Sequence, residues 1–543
     1  MMKFSKNEAV LKWTWSVWRE KMKPMKTPYL SMVMVENNAA RRNGYKDMGA
    51  SWRDETEMPA LRKLCYQLYE SILPLYKLIH GVVRYQLRKI YGDVVPEKGP
   101  MPAHLLGDLW SQNWEPMADL ILDHNINLDE RIKNLNWTVG HMVKRAEDFY
   151  TSLGLPAMSD TFWRESVFAR GNTSTRCHGT AADMFKTDDY RLLYCSDTKF
   201  DDLYVLHHEM GHIQYYMAYS NQPGLFRQAN TALHEAIGDA IMIGVTIPQH
   251  LNRLGLLTDN ELFNMTSGKL ALNLKNDKTD KVYTHKEKDG GPDYFNRVKD
   301  NLETGVVERE RKILFPLHNS NYILKNTKLN LHLNDLQERI KISKGKQIHK
   351  KNDDVTTDDI VMLKQALNKI PQIPFALVLD EYRWRLFEGS LDKMQLNEEF
   401  WRISQELQGI SPVDKRGEEY FDVGAKYHVA DNIPYTRYFL TSFLQYQLFE
   451  KLCKSAVFGH RNIDESLPYS IPLHRCDIYG SKAAGKILID IMSRGSSENW
   501  EDILQEAVGV REISSAAIKN YFYPLSNRLK QIVEKYNIPI GWD

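Results

Sequence analysis

Residues 59–91 place Leu61, Leu64, Leu68, Ile72, Leu75, Leu78, Ile79 and Val82 at steps of three and four. That spacing sets them on one face of a helix and predicts an amphipathic rod of about nine turns. A rod this long has to be buried against others like it, which excludes a small barrel or sandwich. Matching periods run through 202–219, 232–247, 359–371, 373–389, 436–454 and 514–534. Strand signals are short. The best are 166–178 and 190–196, and the polar turn at Lys186–Asp189 between them predicts a hairpin. The expected class is mainly α, with that hairpin as its chief β feature.

The chain has 543 residues, 43% hydrophobic and 11% aromatic, enough for a large core and far from the composition of a disordered chain. Lys+Arg number 71 against 70 Asp+Glu. The net charge of +1 supplies no general pull toward nucleic acid or anionic membranes. No apolar run reaches the roughly 18 residues of a membrane-spanning helix. Met1–Met22 is charged and tryptophan-rich, without the apolar centre and cleavage site of a signal peptide, which alone points to the cytosol. Cysteines stand at 65, 177, 195, 453 and 476. Four of them form two local pairs, and spacing leaves open whether these are disulfides or reduced core thiols.

One segment breaks the pattern. From about 275 to 354 the sequence is polar and lysine-rich, and residues 309–352 hold 11 Lys+Arg against 3 Asp+Glu. Its most basic part lacks interleaved aromatics, which argues against a nucleic-acid arm and for a solvated loop. The expected organisation is one domain in two parts, 1–259 and 356–543, interrupted by a loop-like or disordered insertion at 260–355.

Residues 208–212 read His-Glu-Met-Gly-His. On a helix, positions i and i+4 share a face, so His208 and His212 can reach one ion, with Glu209 as general base for its water. Chance supplies only about 0.03 such pentapeptides in a chain with this many histidines. Neutral imidazoles suit zinc, and a catalytic zinc takes a third protein ligand and keeps one position open. HEAIGD (234–239) offers it. Glu235 is preferred to the adjacent His234 because Asp239, one turn on, is placed to fix the tautomer of a ligating imidazole. Two histidines and a glutamate from a second helix form the ligand set of thermolysin-like zinc peptidases.

HHEMGHIQYYMAY (207–219) together with HEAIGD resembles the angiotensin-converting enzyme family, the peptidyl-dipeptidase A type of zinc carboxydipeptidase. GYKDMGASWR (44–53), GPMPAHLLGDLWSQNW (99–114), FDVGAKYH (421–428), PYTRYFLTSFLQYQ (434–447) and HRCDIYGSKAAG (474–485) resemble further family segments in the same order. The likeness covers nearly the whole chain outside the insertion. It implies a large helical gluzincin domain of two sub-lobes around a deep central cleft, with the short hairpin and an edge strand near the zinc. It also implies a secreted, monomeric glycoprotein that releases C-terminal dipeptides from oligopeptides, with no nucleic-acid or membrane partner.

The resemblance assigns roles to matching positions. Gln112, Lys426 and Tyr435 would take the substrate's free carboxylate. His428 and Tyr438 would donate to the developing oxyanion. Cys177-His178-Gly179 resembles the edge strand along which the peptide lies, with His178 and Gly179 as its substrate contacts. Disulfides Cys177–Cys195 and Cys453–Cys476 are implied, with Cys65 a buried thiol. Chloride is the implied activator, held by Arg437 with Tyr91, and at a second position by Arg53 with Trp401, where Ser404 stands for a family arginine and Phe400 for another aromatic.

The likeness also departs from the family in places. It begins inside the family's domain, so the signal peptide and lid helices have no counterpart, which implies a longer parent chain or an open cleft. RQANTALHE (227–235) is one residue shorter than the family's pattern, and Ala182 replaces a tryptophan. The alternative function is a catalytically impaired member that binds peptides or a partner protein. Such a member is expected to lack a ligand or the base, and here all four residues stand. An aminopeptidase would want a G-x-M-E-N motif, which the chain does not contain.

Overall fold

The long apolar stripe becomes a single helix in the computed structural model, which describes residues 1–58, 60–122, 125–171, 177, 179–263, 268–269, 354–459 and 465–543. Three helices precede it, α1 (Glu8–Glu20), α2 (Lys26–Arg42) and α3 (Met48–Asp54). Helix α4 spans Leu61–Tyr91 and buries Leu61, Leu68, Ile72, Leu75, Leu78, Ile79 and Val82. The other periods become α6 (Phe200–Ala218), α7 (Thr231–Thr246), α8 (Thr357–Lys369), α9 (Gln372–Glu388), α10 (Leu396–Gln408) and α11 (Thr436–Phe458). Helix α5, Val139–Leu153, packs on α6. The fold is mainly α, as expected.

One expected helix is two. The span 514–534 divides into α12 (Ala516–Tyr521) and α13 (Tyr523–Lys535). Pro524 explains the break: it has no N–H to continue a helix and is tolerated in the first turn of a new one.

Strands are short and paired two by two. Met101–Pro102 (β1) lies parallel to Ile410–Ser411 (β6), and Thr180–Asp183 (β2) antiparallel to Tyr190–Leu193 (β3). Gly268–Lys269 (β4) and Asp354–Val355 (β5) are antiparallel, in the register Gly268↔Val355. The β2–β3 hairpin corrects the expected arms. The first strand is Thr180–Asp183, and of residues 166–178 the described ones contribute one isolated bridge, Val167 to Leu193. Phe185 and Asp188, both at positive φ, make the reversal tight, so the residues next to the turn are the ones that pair.

The β4–β5 pairing brings the two ends of the lysine-rich segment together. Residues 259–263 are helical, and Met1–Leu272 with Asp354–Asp543 form one compact unit. Residues 270–353, most of the expected insertion, lie outside the described residues.

Helix α7 is the centre of the fold. It packs along α11 and across α6, and nearly every side chain from Ala236 to Thr246 is buried. A helix apolar on all sides has to be interior. Its start is fixed by Asn230, whose side chain accepts from the backbone N–H groups of Ala232 and Leu233.

Candidate metal centre and peptide site

Helix α6 carries His208, Glu209 and His212, and α7 carries Glu235 and Asp239. Two glycines let these helices meet. A Cβ on Gly211 would stand 2.8 Å from Gly238 Cα, and a Cβ on Gly238 would stand 2.7 Å from the His208 carbonyl oxygen. No larger residue fits the crossing as built, and the crossing puts Glu235 beside both histidines.

His208 Nε2 lies 3.3 Å and His212 Nε2 3.8 Å from Glu235 Oε2. One ligand atom from each of the three residues falls within 4.8 Å of the others. Two imidazole nitrogens and a carboxylate oxygen at this separation fit a tetrahedral zinc with one position left over. Asp239 Oδ1 is 3.1 Å from His208 Nδ1, which leaves Nε2 as the ligating edge. Burial would raise the Glu235 carboxyl, but the His208 hydrogen bond and the nearby histidines bring it down to about 2. Burial would lower His208, yet Asp239 and Glu235 together hold it well above the ordinary imidazole range. The centre is poised for positive charge. His234 is not one of the three: its ring centre lies 4.4 Å from that of His212, tilted by 57°, and burial lowers its imidazole to about 4.

Glu209 is buried, and its carboxylate lies against Gly179, where a Cβ would come within 2.6 Å of Oε1. Gly179 leads directly into β2. His178, the other expected contact on this strand, lies outside the described residues.

Lys426 defines a second focus. Its side chain is 7% exposed, with Nζ 2.9 Å from Gln112 Oε1 and 4.5 Å from the centre of the Trp110 ring. The Tyr435 hydroxyl donates to the same Gln112 oxygen at 3.3 Å. Burial lowers the ammonium from 10.5 to about 8, and Asp108 only partly offsets it. The oxygens of Asp108 already accept from the N–H groups of Trp110, Gln112 and Asn113. The three residues expected to hold a carboxylate meet in one place.

His428 and Tyr438 stand between the two foci. The Tyr438 hydroxyl is 3.3 Å from His428 Nε2, and the His428 ring lies 4.9 Å from that of Tyr435. Burial, then the charge of Glu235, push the Tyr438 phenol up, so it stays a neutral donor. Position is set from α9, a link sequence reading missed. Asp380 accepts from the backbone N–H groups of Tyr435 and Thr436, and Arg383, paired with Asp380, donates to the His428 carbonyl at 3.4 Å.

The anion residues are rearranged. Arg437 shares a cavity with Arg53, Trp52, Thr56, Trp384 and Leu61. Leu61 begins α4, whereas Tyr91 ends it about 45 Å away along the helix, where its hydroxyl donates to the Lys6 carbonyl. Tyr91 therefore does not join Arg437. Trp401 and Ser404 line a different cavity with Arg19, and Arg53 stands instead beside Arg437. Sequence matching gave these residues without their partners, because helix length separates positions that a motif lists together.

Both implied disulfides are present, Cys177–Cys195 with Cα atoms 4.8 Å apart and Cys453–Cys476 at 5.9 Å. Cys65 is a buried thiol. No helix among the described residues is long and apolar enough to cross a membrane.

A helical fold that carries His-Glu-x-x-His on one helix and a glutamate on the next is that of the gluzincin metallopeptidases. The family model described as angiotensin-converting enzyme, peptidase family M2, matches residues 1–274 and 339–542, and the chain belongs to that family. It is 33% identical over 551 residues to angiotensin-converting enzyme of Bos taurus, covering 100% of this chain and 34% of that protein. It is 30% identical over 551 residues to angiotensin-converting enzyme-like protein Ace3 of Mus musculus, covering 100% of this chain and 61% of that protein. With the angiotensin-converting enzyme-related protein of Drosophila melanogaster it shares 30% over 546 residues, 99% of this chain and 71% of that protein. The chain thus spans about a third of the length of the bovine relative.

Proposed function

We propose that this chain is a zinc-dependent peptidyl-dipeptidase that removes dipeptides from the C-terminus of oligopeptides. The observation that carries this reading is Lys426. A buried ammonium that faces an amide oxygen and an aromatic ring, with no carboxylate in ion-pair contact among the described residues, is costly. A substrate carboxylate would complete it, accepting from Lys426 and from the Tyr435 hydroxyl.

Zinc bound by His208, His212 and Glu235 would supply Lewis acidity and a water of lowered pKa. The remaining work falls to the chain's own residues. Glu209 takes a proton from the attacking water and later returns it to the leaving amine. Tyr438 and His428 donate to the oxygen on which charge develops. Gly179 keeps the approach to Glu209 open, and the strand it leads into would pair with the peptide backbone, binding without demanding particular side chains. Chloride activation belongs to the same proposal, with Arg437 and Arg53 as its cations; Arg437 Nε and Arg53 Nη1 are buried without a hydrogen-bond partner among the described residues. A secreted location fits the two disulfides.

Mass spectrometry of the products from an N-blocked oligopeptide tests the proposal. Stepwise loss of C-terminal dipeptides is expected. Release of single residues, or cleavage from the N-terminus, would overturn it.

A further inference from the structure

Lys369 is the last residue of α8. Its ammonium lies 3.2 Å from Asp239 Oδ2, while the other oxygen of that carboxylate is 3.1 Å from His208 Nδ1 and accepts from the Tyr204 hydroxyl at 3.2 Å. The Lys369 and Asp239 side chains are only 13% and 14% exposed. The Tyr204 ring lies 5.0 Å below the ammonium. A chain Lys369–Asp239–His208 therefore runs from a cation into the candidate metal centre.

We infer that Lys369 is a positioning residue that restrains Asp239 and so sets a lower affinity for zinc than the ligands alone would give. The inference rests on the zinc reading above. A carboxylate shared between an ammonium and an imidazole is a weaker acceptor for the imidazole than one left to it alone. His208 is then a poorer donor from its opposite nitrogen, because the basicity of a ligating imidazole rises with the strength of the hydrogen bond on its far side. The ammonium also places a positive charge, little screened by water, behind Asp239, and like charges repel a divalent cation across that short distance. Both effects weaken zinc binding. Glu235 and Asp239 carry two negative charges and Lys369 returns one, so the lysine cancels one unit of the negative charge that would otherwise attract the metal.

Opposite signs for the two partners of one ion pair make the test sharp. Zinc affinity would be measured on the full chain by competition with a chelator of known affinity, with bound metal counted by elemental analysis. Lys369→Met and Lys369→Gln are both expected to bind zinc about tenfold more tightly than the parent, and Lys369→Arg to stay close to it. Asp239→Asn is expected to bind 10- to 100-fold more weakly, the usual loss for such a partner. If Lys369 merely held the fold together, its neutral variants would lose zinc as Asp239→Asn does. That result, or an affinity unchanged in both neutral variants, overturns the inference. The glutamine variant keeps hydrogen-bonding capacity and serves where the methionine variant does not fold. A parent protein that binds no zinc would sink the metallopeptidase reading itself, an outcome distinct from zinc binding in which only the Lys369 variants move the wrong way.

Discussion

Amidating the substrate's C-terminus isolates the role of Lys426. In the free protein burial moves this ammonium from 10.5 to about 8. At 1.36 kcal/mol per tenfold change, that is roughly 3 kcal/mol spent on keeping it charged. A carboxylate docked against Lys426 and the Tyr435 hydroxyl would recover most of this through hydrogen bonds worth about 1.5–3 kcal/mol each when one partner is charged. An amide recovers little, because it brings no charge. The expected kcat/KM ratio of acid to amide is therefore about 10²–10³. The assay compares an N-blocked tripeptide as free acid and as amide, followed by liquid chromatography. Lys426→Met is expected to reduce turnover of the acid by a similar factor and to leave the amide nearly unchanged, so that discrimination collapses. Equal kcat/KM for acid and amide in the unmutated protein would refute the reasoning. The pocket would then be a structural cation, and the chain an endopeptidase or an aminopeptidase.

The preference for the acid is also expected to depend on pH. Lys426 must be protonated to bind an anion, so kcat/KM for the acid falls as pH rises through about 8, while the amide shows no such limb. Glu209→Gln is expected to keep one zinc per chain while activity falls at least 10²-fold; zinc lost as readily as in His208→Ala would show that Glu209 is a ligand. Non-reducing peptide mapping of protein from a secretory host is expected to give Cys177–Cys195 and Cys453–Cys476, with Cys65 alkylated only after unfolding; four free thiols in active protein would contradict the secreted reading. Gly238→Ala forces a methyl group to within 2.7 Å of the His208 carbonyl oxygen. It should cost about 1–3 kcal/mol in thermal unfolding and lower zinc content, and an unshifted melting curve would mean that the helices part without loss.

What could be read in advance was whatever a short period records. Helices α4, α6, α7, α8, α9 and α11 announce themselves because burial repeats every three or four residues. The pairing of His208 with His212 is itself a one-turn spacing. Glu235 and Asp239 were reachable because they too lie one turn apart. The β2–β3 register was not legible, since strands this short are placed by the turn at Phe185–Asp188 and not by their own pattern. Nor was the partner of Arg437. Lys369, Asp380 and Arg383 escaped for a related reason: each acts on a site residue from another helix, and an isolated charge looks in sequence like any solvated one. Gly211 and Gly238 did stand inside both metal motifs, and a glycine in a helix interior, which costs about 1 kcal/mol, is the signal that was available.

The two foci obey one charge logic. Lys426 is a desolvated cation with no ion-pair partner among the described residues, and Glu235 and Asp239 are desolvated carboxylates that share His208 and Lys369 as their cationic neighbours. Each is costly to bury, and each is held by the packing of large helices together with hydrogen bonds, from Lys426 to Gln112 and from Tyr204 and Lys369 to Asp239. Tyr435 and Tyr438 bridge them: the Glu235 charge acts on both phenols, and their rings lie 4.7 Å apart where α11 begins, Tyr435 just before the helix and Tyr438 in its first turn. A ligand that brings a terminal anion to Lys426 is thereby set at a fixed distance from the metal centre. Under the proposed function, cleavage at a constant number of residues from the C-terminus would follow from the rigidity of α11 and its anchor at Asp380, without any reading of side chains. Loosening that anchor should blur the cut position before it abolishes cutting, because the carboxylate would stay bound while the scissile bond drifts.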